Sequence, residues 1–210
     1  MPEATPIVFV VDDDVSVRES LELLIECAGW RSETFACARS FLLRSRDLAP
    51  NCLILDMKLP DLDGLEVQQR LVRERSDMPI IFLTGHGDVP LTVRAMKAGA
   101  VEFLTKPVAD DVLLVAIRQA LARSARGLRQ ASALLTVREC YASLSRRERE
   151  VMALVVSGLL NKQVGGELGI SEITVKAHRG RVMRKMRADS FAALVNMAAG
   201  LGLATAPPRA

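Results

Sequence analysis

Short apolar runs alternate with amphipathic stretches through the first 120 residues. Ile7–Val11 is continuously apolar and too short for a helix, which predicts a buried strand. Similar runs predict four more strands, at Cys52–Leu55, Ile80–Leu83, Val101–Leu104 and, more weakly, Ser32–Phe35. Apolar residues at helical spacing predict helices near 16–28, 39–46, 63–74 and 89–98, and a last one from Asp110. This alternation predicts an α/β fold, a doubly wound five-stranded parallel sheet with helices on both faces.

The ends of these helices carry their own signals. Ser16 and Glu19 have the spacing of a capping box, and Gly29 and Gly99 follow the apolar periods of two helices.

In residues 144–204 all the patterns are helical. Ser145, Asn161, Ser171 and Ser190 are the predicted caps of four helices, at 146–157, 161–168, 172–187 and 190–199. A short helix, a glycine turn and a longer helix form a helix-turn-helix arrangement.

A connector of residues 121–143 separates the two patterns. Leu121, Leu128, Leu135 and Ala142 are spaced seven apart, which predicts that the fifth helix continues as an amphipathic connector. Gly127 weakens such a helix by about 1 kcal/mol relative to alanine. A self-associating connector and a solvated one both fit. We therefore predict domains at 1–120 and 144–204, a helical linker at 121–143 and a flexible tail at 205–210.

Charge divides the chain in the same way. Residues 1–120 contain 13 basic and 19 acidic residues, a net charge of −6, whereas residues 121–210 contain 15 and 6, a net charge of +9. The predicted third helix of the basic half is strongly cationic and carries only one acid, Glu172. A basic half predicts contact with a polyanion. Taken alone, such a helix fits DNA, an anionic membrane surface or a solvated face.

Composition narrows the class of protein. Half of the 210 residues are apolar, which suits two packed domains and excludes a wholly disordered chain. Residues 190–208 have no charge, but glycines, prolines and polar residues interrupt them, so we expect no membrane partner. The four cysteines have no CxxC pairing, and no signal peptide is recognised at the N-terminus. We therefore expect a cytoplasmic protein with free thiols.

Polar residues follow the predicted strands where parallel strands present their carboxyl ends. Asp12, Asp13 and Asp14 follow the first strand, Asp56 follows Leu55, Thr84 follows Leu83, and Lys106 comes shortly after the fifth strand. Working sites lie at this edge in such sheets. Clustered carboxylates need a cation, and Mg²⁺ suits oxygen ligands. A metal and Lys106 beside Asp56 favour phosphoryl transfer with Asp56 as nucleophile and Thr84 as hydrogen-bond donor to the phosphate.

These residues resemble the receiver domains of bacterial response regulators, and the FixJ/NarL family in particular. The resemblance covers residues 6–120 and is carried by the motifs 10–14, 55–60, 84–90, 95–100 and 103–107. It implies a flavodoxin-like fold and phosphorylation of Asp56 by a sensor histidine kinase. It also implies Mg²⁺ bound by Asp13, Asp56 and the main-chain oxygen of Lys58, with Asp12 acting through water. Thr84, Phe103 and Lys106 would respond to the phosphate, and the Lys106–Pro107 bond would be cis.

The basic half resembles the LuxR-type DNA-binding domain over about 144–203. The motifs 144–151, 161–164, 168–171, 174–179 and 184–186 carry the resemblance. It implies contacts with bases or nearby phosphates by Thr174, Lys176, Ala177, Arg179, Gly180, Arg184 and Lys185, and a backbone contact by Lys162. The adjacent Gly165 and Gly166 depart from the family pattern and cost about 2 kcal/mol in helix propensity.

Together these features predict a non-enzymatic response regulator of a two-component system. Phosphorylation would promote a homodimer through the helix at 89–98 and the strand at 101–104, and the dimer would bind promoter DNA and activate transcription, with RNA polymerase as a further partner. Two alternatives stay open. One is a Mg²⁺-dependent phosphohydrolase, for which His86 is the available acid–base residue; the other is a constitutive DNA-binding protein with an inactive receiver.

Overall fold

The computed structural model of the protein describes residues 5–45, 49–74, 78–85 and 89–203. The chain forms two compact units, which divide between Arg129 and Gln130. The first ten elements, in chain order, are β1 (Ile7–Val11), α1 (Val15–Cys27), β2 (Arg31–Phe35), α2 (Ala38–Leu42), β3 (Asn51–Leu55), α3 (Gly64–Glu74), β4 (Ile80–Thr84), α4 (Val89–Lys97), β5 (Glu102–Thr105) and α5 (Asp110–Ala142). They are followed by α6 (Arg146–Val156), α7 (Asn161–Leu168), α8 (Glu172–Met186) and α9 (Phe191–Gly200).

The five strands form one parallel sheet in the order β2-β1-β3-β4-β5. Successive residues of β1 enter opposite cores, because side chains alternate along a strand: Phe9 packs with residues of α2, α3 and α4, whereas Val8 packs with α1 and α5. Each face of the sheet is therefore covered by helices. The predicted doubly wound fold is confirmed.

The strand ladder continues into the residues that follow the strands. The Asp12 N–H donates to Phe35 O at 3.1 Å, the Asp56 N–H to Val11 O at 2.9 Å, and the Lys106 N–H to Thr84 O at 2.9 Å. These bonds hold the backbones of the three polar residues at the carboxyl edge of the sheet. The predicted placement of Asp12, Asp56 and Lys106 at one edge therefore follows from backbone pairing.

Two predicted helix caps are wrong. Asp14, and not Ser16, caps α1, because its carboxylate Oδ1 accepts the Ser16 N–H at 2.8 Å and the helix begins one residue before Ser16. Asn161 lies inside α7, whose N-cap is Leu160. The Leu160 N–H donates to Gln163 Oε1 at 2.8 Å, so the side chain at the third helical position satisfies this end. The predicted caps Ser145, Ser171 and Ser190 are confirmed.

Most element boundaries lie within one residue of the predictions, and the largest difference is at the second helix. The last strand runs from Glu102 to Thr105, one residue later than predicted, because Thr105 pairs with Thr84 through the backbone whatever its side-chain polarity. The second helix ends at Leu42 instead of continuing to 46. The next apolar residue, Leu43, is exposed and gains no core contact that would extend the helix.

Helix α5 contributes to both units. It is continuous over 33 residues and includes Gly127, so the predicted helical connector is confirmed. Leu121 is buried in the core beneath the sheet, whereas Tyr141 packs against the core of the second unit. Leu135, between them, is exposed.

The second unit packs the end of α5 and helices α6–α9 around one core. Val151, Val164, Val175, Val182 and Leu194 are buried there, and each helix from α6 to α9 supplies at least one of them. The predicted all-helical second domain is confirmed. No helix in the part of the chain described here is long and apolar enough to cross a membrane.

Candidate functional site

Three carboxylates converge where β1 and β3 end. One oxygen from each of Asp12, Asp13 and Asp56 lies within 4.8 Å of the others. Asp12 is 2% exposed and Asp56 9% exposed, while Asp13 is open to solvent. The arrangement combines two shielded carboxylates with one that can be reached from outside.

Lys106 supplies the positive charge of this site. Its Nζ lies 2.5 Å from Asp12 Oδ2 and 3.6 Å from Asp56 Oδ2. Burial raises the pKa of the Asp12 carboxyl above its ordinary value, although the hydrogen bond from Lys106 acts in the opposite direction. The closer partner of Lys106 in this state is Asp12. The ammonium group of Lys106 therefore lies beside Asp56 but is held mainly by Asp12.

Backbone contacts fix the position of Asp56. Its Oδ1 accepts the Met57 N–H at 2.7 Å, and Gly64 N–H donates to Met57 O at 2.9 Å. A Cβ atom at Gly64 would lie 2.8 Å from the Asp56 carbonyl oxygen, so only glycine fits without a shift of backbone. Gly64 was not among the residues predicted for this site. A glycine eight residues after the candidate nucleophile, at the start of a helix, was the available signal.

The donor set fits a hard divalent cation. The three carboxylates and Lys106 carry a formal charge of −2, which a divalent cation would neutralise. Carboxylate and carbonyl oxygens are the ligands that Mg²⁺ takes in proteins. Lys58, whose main-chain oxygen is the further candidate ligand, lies two residues after Asp56 and forms an isolated β-bridge with Asp63.

Thr84 and Phe103 lie on the same face of the sheet. Phe82 pairs with Phe103 and Thr84 with Thr105 on the neighbouring strands, so all four face the same layer. Thr84 is buried, Phe103 is half-buried, and the Phe103 ring centroid lies 5.9 Å from that of Phe82. This is the layer that contains Ala95 of α4. A displacement of either side chain would therefore alter the packing beneath α4.

Two further expectations concern this edge of the sheet. The Lys106–Pro107 peptide bond is cis, as the resemblance implies. His86 lies outside the described residues.

The tail predicted at 205–210 also lies outside the described residues.

The DNA-contact candidates on α7 and α8 fall into two groups. The first group is exposed and consists of Lys162, Lys176, Ala177, Gly180 and Arg184. Thr174, half-buried at the start of α8, is held by Ser171, which accepts its N–H at 3.2 Å. Lys176 forms an exposed ion pair with Glu172 at 3.0 Å, which water and salt weaken easily. The exposed residues of this group are available to an incoming polyanion.

Arg179 and Lys185 form the second group, and both have partners within the unit. Arg179 donates to Asn161 Oδ1 at 3.3 Å and lies 4.7 Å from the Phe191 ring centroid. Lys185 Nζ lies 2.7 Å from Glu148 Oε2 and 3.2 Å from Ser143 O. The bond from Lys185 is the main reason that the pKa of the buried Glu148 falls to about 2. Lys185 therefore joins α8 to α6, a role that sequence analysis missed.

One exposed apolar residue of α8 was also missed. Ile173, at the second position of the helix, is 80% exposed. Ile173 lies just before Thr174, in the first turn of the helix that is predicted to enter the major groove. Its lack of a core contact could not be read from the sequence, because an isoleucine one residue before a buried helix face resembles a core residue.

The chain matches two family models. Residues 8–118 match the response regulator receiver domain, and residues 142–198 match the luxR family of bacterial regulatory proteins. Nodulation protein W of Bradyrhizobium diazoefficiens is 48% identical over 197 residues, which cover 94% of this chain and 87% of that protein. The transcriptional regulatory protein FixJ of Azorhizobium caulinodans is 44% identical, covering 98% of this chain and 97% of that protein.

A solved structure gives the same result. The response regulator StyR superposes with a TM-score of 0.82 at 47% identity, covering 93% of this chain and 99% of that one. Receiver domains imply a histidine kinase as partner, and LuxR-type domains imply DNA. The family consists of transcriptional regulators and not of enzymes, which favours regulation over the phosphohydrolase alternative. With both domains matched over nearly the whole chain, the protein belongs to the FixJ-type transcriptional response regulators of two-component systems, which join a receiver to a LuxR-type DNA-binding domain.

Proposed function

We propose that Asp56 accepts a phosphoryl group from a phosphohistidine of a sensor kinase. The observation that carries the proposal is the position of Asp56, with Lys106 at 3.6 Å and the carboxylates of Asp12 and Asp13 within 4.8 Å. An Asp56 oxygen attacks phosphorus, the P–N bond breaks, and the imidazole nitrogen keeps the electron pair and takes up a proton. The product is an acyl phosphate on Asp56 and a neutral histidine on the kinase.

Asp13, Asp56 and the main-chain oxygen of Lys58 are the proposed Mg²⁺ ligands, with Asp12 acting through water. When bound, Mg²⁺ would neutralise the negative charge that develops on the oxygens of the transferring phosphoryl group. The exposure of Asp13 supports this role, because its carboxylate is open to solvent and would be free to hold a cation. Buried Asp12 already accepts Lys106 and the Asp14 N–H, which suits an indirect contact.

Lys106 is the proposed sensor of the new charge. A phosphoryl group adds up to two negative charges beside an ammonium that now lies closer to Asp12 than to Asp56. The stronger local charge draws Lys106 from Asp12 towards the phosphate. Thr84 would donate its hydroxyl to a phosphate oxygen, and Phe103 would fill the space that Thr84 leaves beneath α4.

Dimerisation through α4 and β5 is the proposed consequence. Val89, Val93 and Met96 are exposed at spacings of four and three residues along α4, which places them on one face of that helix. An apolar strip of this kind can pair with a second copy once the packing beneath it changes. Two linked DNA-binding units then bind two half-sites more tightly than either unit alone.

The second unit is proposed to place the first part of α8 in the major groove. Thr174, Lys176, Ala177, Arg179 and Gly180 would face bases or nearby phosphates, and Lys162, Arg184 and Lys185 would meet the backbone. The exposure of most of these residues supports the assignment. Transcriptional activation, contact with RNA polymerase and a cytoplasmic location complete the proposal. The free state of the cysteines at 27, 37, 52 and 140 fits a reducing compartment.

The test compares the protein with its Asp56→Asn variant, each with and without Mg²⁺ and a small-molecule phosphodonor. Binding to an operator fragment and the sedimentation of the free protein are measured in every condition. We expect the donor to increase both the dimer fraction and the operator affinity of the wild type, and to leave the variant unchanged. Equal binding in all conditions would refute the phosphorylation switch, and a phosphorylated protein that stays monomeric would refute the dimer.

A further inference from the structure

A cavity lies at the opposite edge of the sheet from Asp56. Pro6, Trp30 and Pro50 each immediately precede a strand, and with one side of α5 they line a cavity of about 720 Å³. Because the strands are parallel, these residues lie at the amino ends and the phosphoacceptor candidates at the carboxyl ends. The cavity is therefore separate from the site described above.

Hydrogen bonds hold the walls of this cavity in place. The Asn51 N–H donates to Ser124 Oγ at 3.0 Å, which joins α5 to the start of β3. The Ile7 N–H donates to Pro50 O at 2.9 Å and the Arg31 N–H to Pro6 O at 3.1 Å. A cavity bounded by such bonds exists before any ligand arrives. Its volume lies within the range of small-molecule sites.

The floor of the cavity is apolar. The half-buried indole of Trp30 and the buried side chain of Leu121 are the two largest apolar side chains that line it. Ala122 and Ala125 contribute only methyl groups from α5, so the space between helix and indole is left unfilled. A flat or extended apolar group of a ligand could lie there against the indole.

The rim of the cavity is cationic. Arg118, Arg126 and Arg129 line it, and none of its lining residues is acidic. In the described part of the chain no carboxylate forms an ion pair with any of the three, and Arg118 donates only to its own helix, to Leu114 O at 3.3 Å. Three guanidinium groups without a carboxylate partner therefore line one cavity. They favour an anion that the protein does not itself supply.

We propose that this cavity binds an amphipathic organic anion, an aromatic or alkyl carboxylate. Its apolar body would lie against Trp30 and Leu121, and its carboxylate would accept hydrogen bonds from Arg126 and Arg129, whose planar groups match a carboxylate. Inorganic phosphate would contact the arginines of the rim but would leave the apolar floor exposed to water. A neutral apolar molecule would cover the floor but would leave the arginines without an anion. Only a ligand with both parts matches both surfaces.

The single tryptophan makes the test direct. Trp30 is the only one in the chain, so intrinsic tryptophan fluorescence of the full-length protein reports on this cavity alone. Octanoate is the probe, and octanol and inorganic phosphate are the controls for its two halves. We expect octanoate to change the fluorescence saturably, with at least tenfold tighter binding than either control. Asp56→Asn should bind octanoate as the wild type does, which separates this proposal from the phosphorylation mechanism.

Variants locate the ligand. The double substitution Arg126→Gln and Arg129→Gln should weaken octanoate binding at least tenfold, and Ala122→Phe, which fills the cavity, should abolish it. Arg123→Gln is the matched control, because Arg123 is exposed on the same helix but does not line the cavity. A non-saturable response, equal affinity for octanoate and octanol, or equal losses in the Arg123 control and the double variant would overturn the proposal. The proposal would also be overturned if inorganic phosphate or a short DNA duplex bound in competition with octanoate and with equal affinity. The cavity would then be a general anion-binding surface.

Discussion

The adjacent glycines of α7 should respond to alanine in opposite directions. Gly166 is exposed in the helix, and a Cβ atom there would meet nothing within 4 Å. At Gly165 the same atom would lie 2.7 Å from the carbonyl oxygen of Ile170, in the turn that joins α7 to α8. The Ile170 N–H donates to Gly165 O at 3.0 Å, so the two backbones are held together at this point.

The expected magnitudes follow from these two environments. Gly166→Ala gains helix propensity without a clash and should raise the free energy of unfolding of the second unit by about 1 kcal/mol. For a unit of this size that corresponds to a rise in melting temperature of about 4–8 °C. Gly165→Ala has the same propensity gain, but the displacement of the Ile170 carbonyl costs about 1–3 kcal/mol. We expect a net loss of about 1 kcal/mol.

Calorimetry of the full-length protein is the assay. Tryptophan fluorescence follows the first unit through Trp30, so a shift confined to the second unit should leave that signal at its wild-type midpoint. Stabilisation by both substitutions would refute the close approach at Gly165. Destabilisation by both would show that Gly166 is also needed for packing.

Three other predictions test single contacts. The pKa of Glu148 is about 2 in the folded state against an ordinary 4.5. The carboxylate therefore stabilises the fold fully above pH 4.5, and this contribution is lost as the pH falls towards 2. The free energy of unfolding of Glu148→Gln, measured by acid unfolding, should depend less on pH over that interval. Lys185→Met should lower the free energy of unfolding by about 1–2 kcal/mol because Glu148 loses its partner, whereas Arg184→Met should reduce operator affinity without changing the melting temperature. Gly64→Ala should slow labelling of Asp56 by a phosphodonor, since its Cβ would displace the Asp56 carbonyl; labelling at the wild-type rate would contradict this reasoning.

Periodicity was a sound guide to the architecture. Ile7–Val11 and Ile80–Thr84 are wholly buried strands because a parallel sheet covered on both faces demands continuous apolar runs. The edge strand Arg31–Phe35 has one exposed and four partly buried residues, which is why its signal was weak. The caps at Ser16 and Asn161 were wrong because a hydroxyl or amide near a helix start does not show which neighbouring residue will accept the first free N–H.

The sequence by itself determined which residues reach the working edge of the sheet. Strand ends are local features, and parallel strands bring their ends together, so Asp12, Asp56, Thr84 and Lys106 could be grouped from their positions alone. The sequence also determined the helical character of the connector and the cationic character of α8, because both depend on spacing and charge along one segment.

Only the tertiary structure decided which groups are partners. Lys106 contacts Asp12 across 94 residues of chain, and Lys185 contacts Glu148 across 37. Periodicity assigns a residue to a face, but it does not say which side chain of another element will meet it there. The close approach at Gly64 and the cationic cavity beside Trp30 depend in the same way on distances between segments, which exist only once the elements have packed.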